Sequence, residues 1–208
     1  MDELILLRDA EPLMGSTRAM MGVTKKSNIE EESGDVALRK DEDDVSAEIP
    51  DWSREKPRRL WDPSRRLLLA IRRYQYWRKK TGIVASFVCK SWVLRYRFRS
   101  FITASDIGLQ SQIGGGLLIP HPNGILIHSD ALIGPNCLIF QQVTIGTRRG
   151  ESGVPVIEGH VDIGAGAKIL GPVQIGAHAR IDANAVVYAD VPSGALAFGV
   201  PAKILRFE

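Results

Sequence analysis

Four histidines, two cysteines and a dense run of cationic side chains are the groups in this 208-residue chain best suited to chemistry. An imidazole titrates near neutral pH and can take or give a proton there. His121 lies in IPHPNGILI, where Pro and Gly on either side read as a turn. On residue type alone it is either a positioned base or a surface histidine. His128, His160 and His178 read as structural or surface residues. Cys89 and Cys137 have no spacing that suggests a disulfide framework or a metal cage. That usage points to a reducing compartment and a cytoplasmic protein. Residues 54–100 carry 15 Lys and Arg against 2 Asp and Glu. Such a surface is either a solvated helical face or a dock for anions, whether nucleotide phosphates or anionic lipid. No nucleic-acid recognition motif accompanies the charge, so nucleic acid is not an expected partner.

The elements that must position these groups fall into three units of different charge. Residues 1–53 hold 14 acidic and 6 basic residues, and residues 101–208 hold 8 and 6. The acidic extension 1–53 is poor in aromatics and has no sustained apolar period, so its expected state is disorder, with a short helix near LILLRDAEPLM. The segment 54–104 reads as two helices. Leu67, Ile71, Tyr74 and Trp77 fall at helical spacing, Asp62 and Pro63 make a helix start, and Gly82 makes a stop. The second helix covers IVASFVCKSWVLRYRFRSF. No secretory signal is legible, and the longest apolar run is too short for a membrane span and is broken by Lys90.

From residue 107 the chain repeats every six residues. Aliphatic side chains fall at Ile107, Ile113 and Ile119, at Ile127, Ile133, Ile139 and Ile145, and at Ile157, Ile163, Ile169, Ile175, Ile181 and Val187. Small or β-branched residues such as Ala131, Cys137, Val143, Ala167 and Ala179 follow four positions later. A fixed short period of this kind marks a solenoid. Each hexad supplies one short strand and a corner, and three hexads close one coil of a triangular prism with the aliphatic residues inside. The stretch 146–156, GTRRGESGVPV, breaks the period and should leave the prism as a loop; projecting loops commonly carry function.

The words DIGLQSQIGGGLLIPH, NGILIHSDALIGPNCLIFQQVTIGT, VDIGAGAKILGPVQIGAHARIDANAVV and GVPAKI, about half the chain, resemble the hexapeptide-repeat acetyltransferases, and among them the serine acetyltransferases. The resemblance implies a mainly β protein, a left-handed parallel β-helix in 105–208 behind the helical segment. It also implies a homotrimer with sites between neighbouring prisms, two trimers being able to pair, and acetyl-CoA as co-substrate. By the same resemblance His121 is the catalytic base, Asp106 orients it, and Asp62 contacts the acceptor amine. Arg148 and Arg149 are the loop cations left to hold a carboxylate. Gly146, Thr147, Ala165 and Ala183 border the pantetheine arm, with His178 near it, and Arg180 meets a phosphate. The chemistry suits these residue types: a neutral imidazole can deprotonate a hydroxyl as it attacks a thioester, and a carboxylate can hold the ring tautomer.

The chain departs from the family pattern in three places. Pro120 stands where an Asp usually precedes the histidine, Val154 stands where the loop carries a His, and the chain stops soon after the repeat, at Glu208, without the tail that docks the sulfhydrylase of cysteine synthesis. A stable complex with that enzyme is therefore not expected. The resulting reading is serine O-acetyltransfer in cysteine biosynthesis. Its rivals are O-acetylation of a sugar in surface-polysaccharide assembly, where a basic segment resting weakly on a membrane surface makes sense, and a non-catalytic trimeric scaffold.

Overall fold

The structure, a computed structural model, describes residues 45–206. The helix expected near LILLRDAEPLM and the acidic clusters before Val45 lie outside the described residues.

Helix α1 (Pro63–Arg78) starts where Asp62 and Pro63 place it and ends at Lys79, before the Gly expected to stop it. Gly82 instead opens helix α2 (Ile83–Thr103). Ala104 in the left-handed conformation, φ 47°, ends α2 and turns the chain into the repeat.

The repeat forms fourteen short strands among the described residues. They are β1 (Asp106–Ile107), β2 (Gln112–Ile113), β3 (Leu126–Ile127), β4 (Leu132–Ile133), β5 (Leu138–Ile139), β6 (Thr144–Gly146) and β7 (Val156–Ile157). They continue as β8 (Asp162–Ile163), β9 (Lys168–Leu170), β10 (Gln174–Ile175), β11 (Arg180–Ile181), β12 (Val186–Val187), β13 (Leu196–Phe198) and β14 (Lys203–Leu205). Face A stacks β1, β3, β6, β9 and β12; face B stacks β2, β4, β7 and β10; face C stacks β5, β8, β11 and β13. Every neighbouring pair in these stacks is parallel and in register, as in Ile107 opposite Ile127 and Ile163 opposite Ile181. The parallel β-helix anticipated from the hexads is therefore present. The tail folds back, with β14 antiparallel to β13, an ending that the hexad pattern does not encode.

The second residue of each hexad strand points inward. Ile107, Ile139, Ile145, Ile163, Ile169 and Ile175 are fully buried, as are the small residues Ala131, Cys137, Ala167, Ala179 and Ala185. The corner positions are small because rungs approach closely. A Cβ on Gly134 would lie 2.5 Å from the backbone carbon of Glu158 on the next rung. Leu67, Leu68 and Ile71 of α1 join the same core and close the prism at its first coil.

One expectation is corrected. Residues 45–53, assigned from composition to a disordered extension, are ordered along the prism. They gain order through polar contacts that composition does not reveal. Asn136, buried at a corner with φ 60°, accepts from Asp51 N at 2.7 Å and donates to Ser46 O and Ile49 O at 2.7 Å each. Its own carbonyl accepts from Arg54 Nη1 at 2.7 Å. The strap ends in a 3-10 turn, Trp52–Glu55, whose Glu55 carboxylate is buried against Arg72 of α1, at 2.8 and 3.1 Å, and accepts from Leu117 N at 3.1 Å. Arg72 also donates to Ile113 O and Gly114 O at 2.6 Å. One guanidinium thus ties strap, helix and first coil together.

Candidate active site

The prism has three edges, and their turns place the polar side chains. The edge joining face C to face A begins with Pro120–Ile125, which carries His121. Gly124 N donates to Ala104 O at 2.9 Å and Ser105 Oγ donates to Pro122 O, so the segment that follows His121 is pinned to the residues just after α2. The imidazole itself is exposed. Asp106 opens β1 and points outward on face A, with its N–H donating to Ile125 O at 2.7 Å. His121 and Asp106 therefore border the same edge in the first coil. No hydrogen bond joins the two among the described residues.

Asp62 stands at the mouth of the same region. Its carboxylate caps no helical N–H; it accepts from Arg58 N at 3.1 Å and from Arg65 Nη1 at 3.3 Å. A cavity of about 440 Å³ opens there, lined by Asp62, Arg58, Arg59, Trp61 and the two prolines that flank His121. Three guanidinium groups and one carboxylate around an open hollow suit a small acceptor carrying both an anionic and a cationic group.

Below His121 the edge continues through Gln141 and Gln142 to Ala165 and Ala183 on successive rungs, bonded by Gly166 N to Gln141 O at 2.9 Å and Asn184 N to Ala165 O at 2.8 Å. This is a track of small side chains leading away from the histidine. Lys168, outward at the start of β9, reaches this track and donates to Gln142 O at 2.5 Å. In the sequence only its outward position in the hexad distinguishes Lys168.

The remaining residues sit elsewhere. Gly146 and Thr147 lie at the far end of face A, at the edge joining face A to face B. The loop that follows there carries Arg148 and Arg149. Arg148 pairs with Glu151 at 2.8 Å and lies over the Tyr188 ring at 4.4 Å, which holds it on its own prism. Arg149 is exposed. Within one chain, face A separates the loop from His121. Arg180 points outward on face C, beside a smaller cavity of about 150 Å³ with His160, Asp162, His178, Val45 and Arg54.

His160 and His178 form a contact that the sequence reading did not foresee. Their Nδ1 atoms are 2.8 Å apart and their rings cross at 75°. They are separated by 18 residues, one coil, and both occupy left-handed corners at φ 54° and 60°. Spacing by one full coil is the signal that could have revealed it. A hydrogen bond between two such nitrogens needs one to donate and the other to accept, so at least one ring is neutral. Burial lowers the His160 pKa from the ordinary histidine value; Asp162 opposes the shift and His178 adds to it. Cys137 is no nucleophile, since burial pushes its thiol up to about 11. Among the described residues no group of side chains could hold a metal ion.

The chain is similar to proteins whose chemistry is known. A serine acetyltransferase of Synechococcus elongatus is 40% identical over 106 residues, covering 50% of this chain and 43% of that protein. One of Mycobacterium tuberculosis is 39% identical over 110 residues, covering 52% and 48%. The soybean serine acetyltransferase complexed with serine matches with a TM-score of 0.60 at 32% identity, over 70% of this chain and 58% of that one. A serine acetyltransferase in complex with CoA matches with a TM-score of 0.58 at 31% identity, over 70% and 58%. The chain thus spans about half the length of these curated relatives. No protein-family model matches.

Proposed function

We propose that this chain, serine acetyltransferase-like in sequence and fold, transfers acetyl from acetyl-CoA to the hydroxyl of L-serine. The observation that carries the proposal is the shared position of His121, Asp106 and the Asp62 cavity at one prism edge, in a chain whose relatives include serine acetyltransferases complexed with serine and with CoA.

In this mechanism the neutral His121 ring takes the proton of the serine hydroxyl as that oxygen attacks the thioester carbon. Asp106 holds the ring tautomer and stabilises the imidazolium. The tetrahedral intermediate collapses with cleavage of the C–S bond, and the imidazolium returns the proton to the departing thiolate. Asp62 receives the acceptor ammonium, and Pro120 leaves no carboxylate immediately before His121 to share that contact. The pantetheine arm runs past Ala165 and Ala183.

The proposal includes a homotrimer. Arg148 and Arg149 lie across face A from His121 in their own chain, so they reach a histidine only from a neighbouring copy. In that arrangement a neighbour's loop supplies the carboxylate grip, and its backbone N–H groups near Gly146 and Thr147 face the oxyanion.

A second reading has a specific observation behind it. Arg58, Arg59 and Arg65 around the cavity also suit the diphosphate of a nucleotide sugar. Thiol release from acetyl-CoA, followed with L-serine, homoserine and nucleotide sugars in turn, separates the two. Release that depends on L-serine is the expected result. Release only with a sugar moves the assignment to sugar O-acetylation, and no release or acetyl-CoA binding at all leaves a scaffold.

A further inference from the structure

Helix α2 packs on α1 through one side and presents the other, unpartnered, to solvent. On that outer side Ile83, Phe87, Leu94, Phe98 and Phe101 are between 62 and 85% exposed. At about 3.6 residues per turn these five fall within roughly a sixth of the helix circumference and run its whole length. Cations border the stripe on both sides: Lys90 and Arg97 on one, Arg95 on the other, all exposed. Among the 21 residues of α2 there is no Asp or Glu.

We propose that this face lies on an anionic lipid surface. Apolar side chains enter the boundary between headgroups and acyl chains, and long basic side chains beside them extend their charge to lipid phosphates. The paired flanks of Lys90 and Arg97 opposite Arg95 fit a planar anionic sheet. A second copy of α2 laid against this one would bring the same cations together with no acidic side chain on either helix to offset them. The attachment is peripheral, because among the described residues no helix is long and apolar enough to cross a membrane. It also leaves the cavity at Asp62 in use, since none of the stripe residues lines it.

The test sediments the full chain with vesicles of phosphatidylcholine alone or with about a third phosphatidylglycerol. The expected result is binding to the anionic vesicles only, released at about 0.5 M salt. Removing three cations together, K90Q with R95Q and R97Q, should weaken binding roughly a hundredfold, about fivefold each. Phe87→Ser with Phe98→Ser should abolish it while light scattering and thermal unfolding stay unchanged. Equal binding to neutral vesicles, or none to anionic ones, overturns the proposal. A fall in particle mass in the Phe87→Ser, Phe98→Ser variant also overturns it, because the stripe is then a contact between copies. Serine-dependent thiol release, read on the same preparations, reports on the catalytic proposal separately.

Discussion

Asn136 shows how much of this molecule rests on single polar side chains at prism corners. Both of its amide atoms are used, three times over, to hold the strap, and the left-handed backbone it occupies is one that Asn adopts more readily than most residues. The rung above makes room for it: a Cβ on Gly116 would come within 2.0 Å of the Asn136 Oδ1. Asn136→Ala should therefore lower the free energy of unfolding by about 2–3 kcal/mol, the scale for stranding buried hydrogen-bonding groups, measured by urea denaturation. A loss below about 0.5 kcal/mol would show that the strap contributes little. None of this was legible in GPNC, because the partners of Asn136 lie 85 to 90 residues earlier in the chain. The hexad aliphatics, by contrast, could be assigned inward one by one, since burial repeats at their own spacing.

Two elements depend on charge placement. The buried pair of Glu55 and Arg72 joins the 3-10 turn to α1, and the guanidinium continues to two carbonyls of the first coil. Glu55→Ala removes the buried partner of a half-buried guanidinium and should cost about 2 kcal/mol or more. A loss no greater than that of an exposed salt bridge would contradict this role. The hydrogen-bonded histidines give the corner between faces B and C a pH dependence. Burial keeps the folded His160 pKa below its value in the unfolded chain, so its contribution to stability is whole above about pH 6.5. That contribution falls as the pH drops through this value towards the lower folded pKa, because the unfolded chain takes up the proton first. His160→Asn, which keeps a residue suited to the left-handed corner, should flatten the decline in melting temperature between about pH 7.5 and about pH 5.5. An unchanged slope would place the titration elsewhere. The helices were readable from Asp62, Pro63 and the apolar spacing. Their docking was not, since it runs through Arg72, Gln75 and Tyr96, whose long side chains reach backbone carbonyls of the first coil.

At the scale of the whole molecule, the prism is a rigid frame that sets where each edge can act. One chain brings His121, Asp106 and Asp62 to one end of the edge between faces C and A, and holds Arg148 and Arg149 at another edge. The sequence carried the residue types of this site and the repeat that spaces them. It did not carry the edge on which the later residues fall, because the loop between β6 and β7 interrupts the count of hexads. The proposed acetyl transfer depends on His121 acting as a base at that edge. The most direct measurement is steady-state thiol release from acetyl-CoA with L-serine, comparing the chain with His121→Ala at matched acetyl-CoA affinity. The expected outcome is a fall in turnover of about two to four orders of magnitude with acetyl-CoA binding retained. Turnover that survives the substitution intact would contradict it.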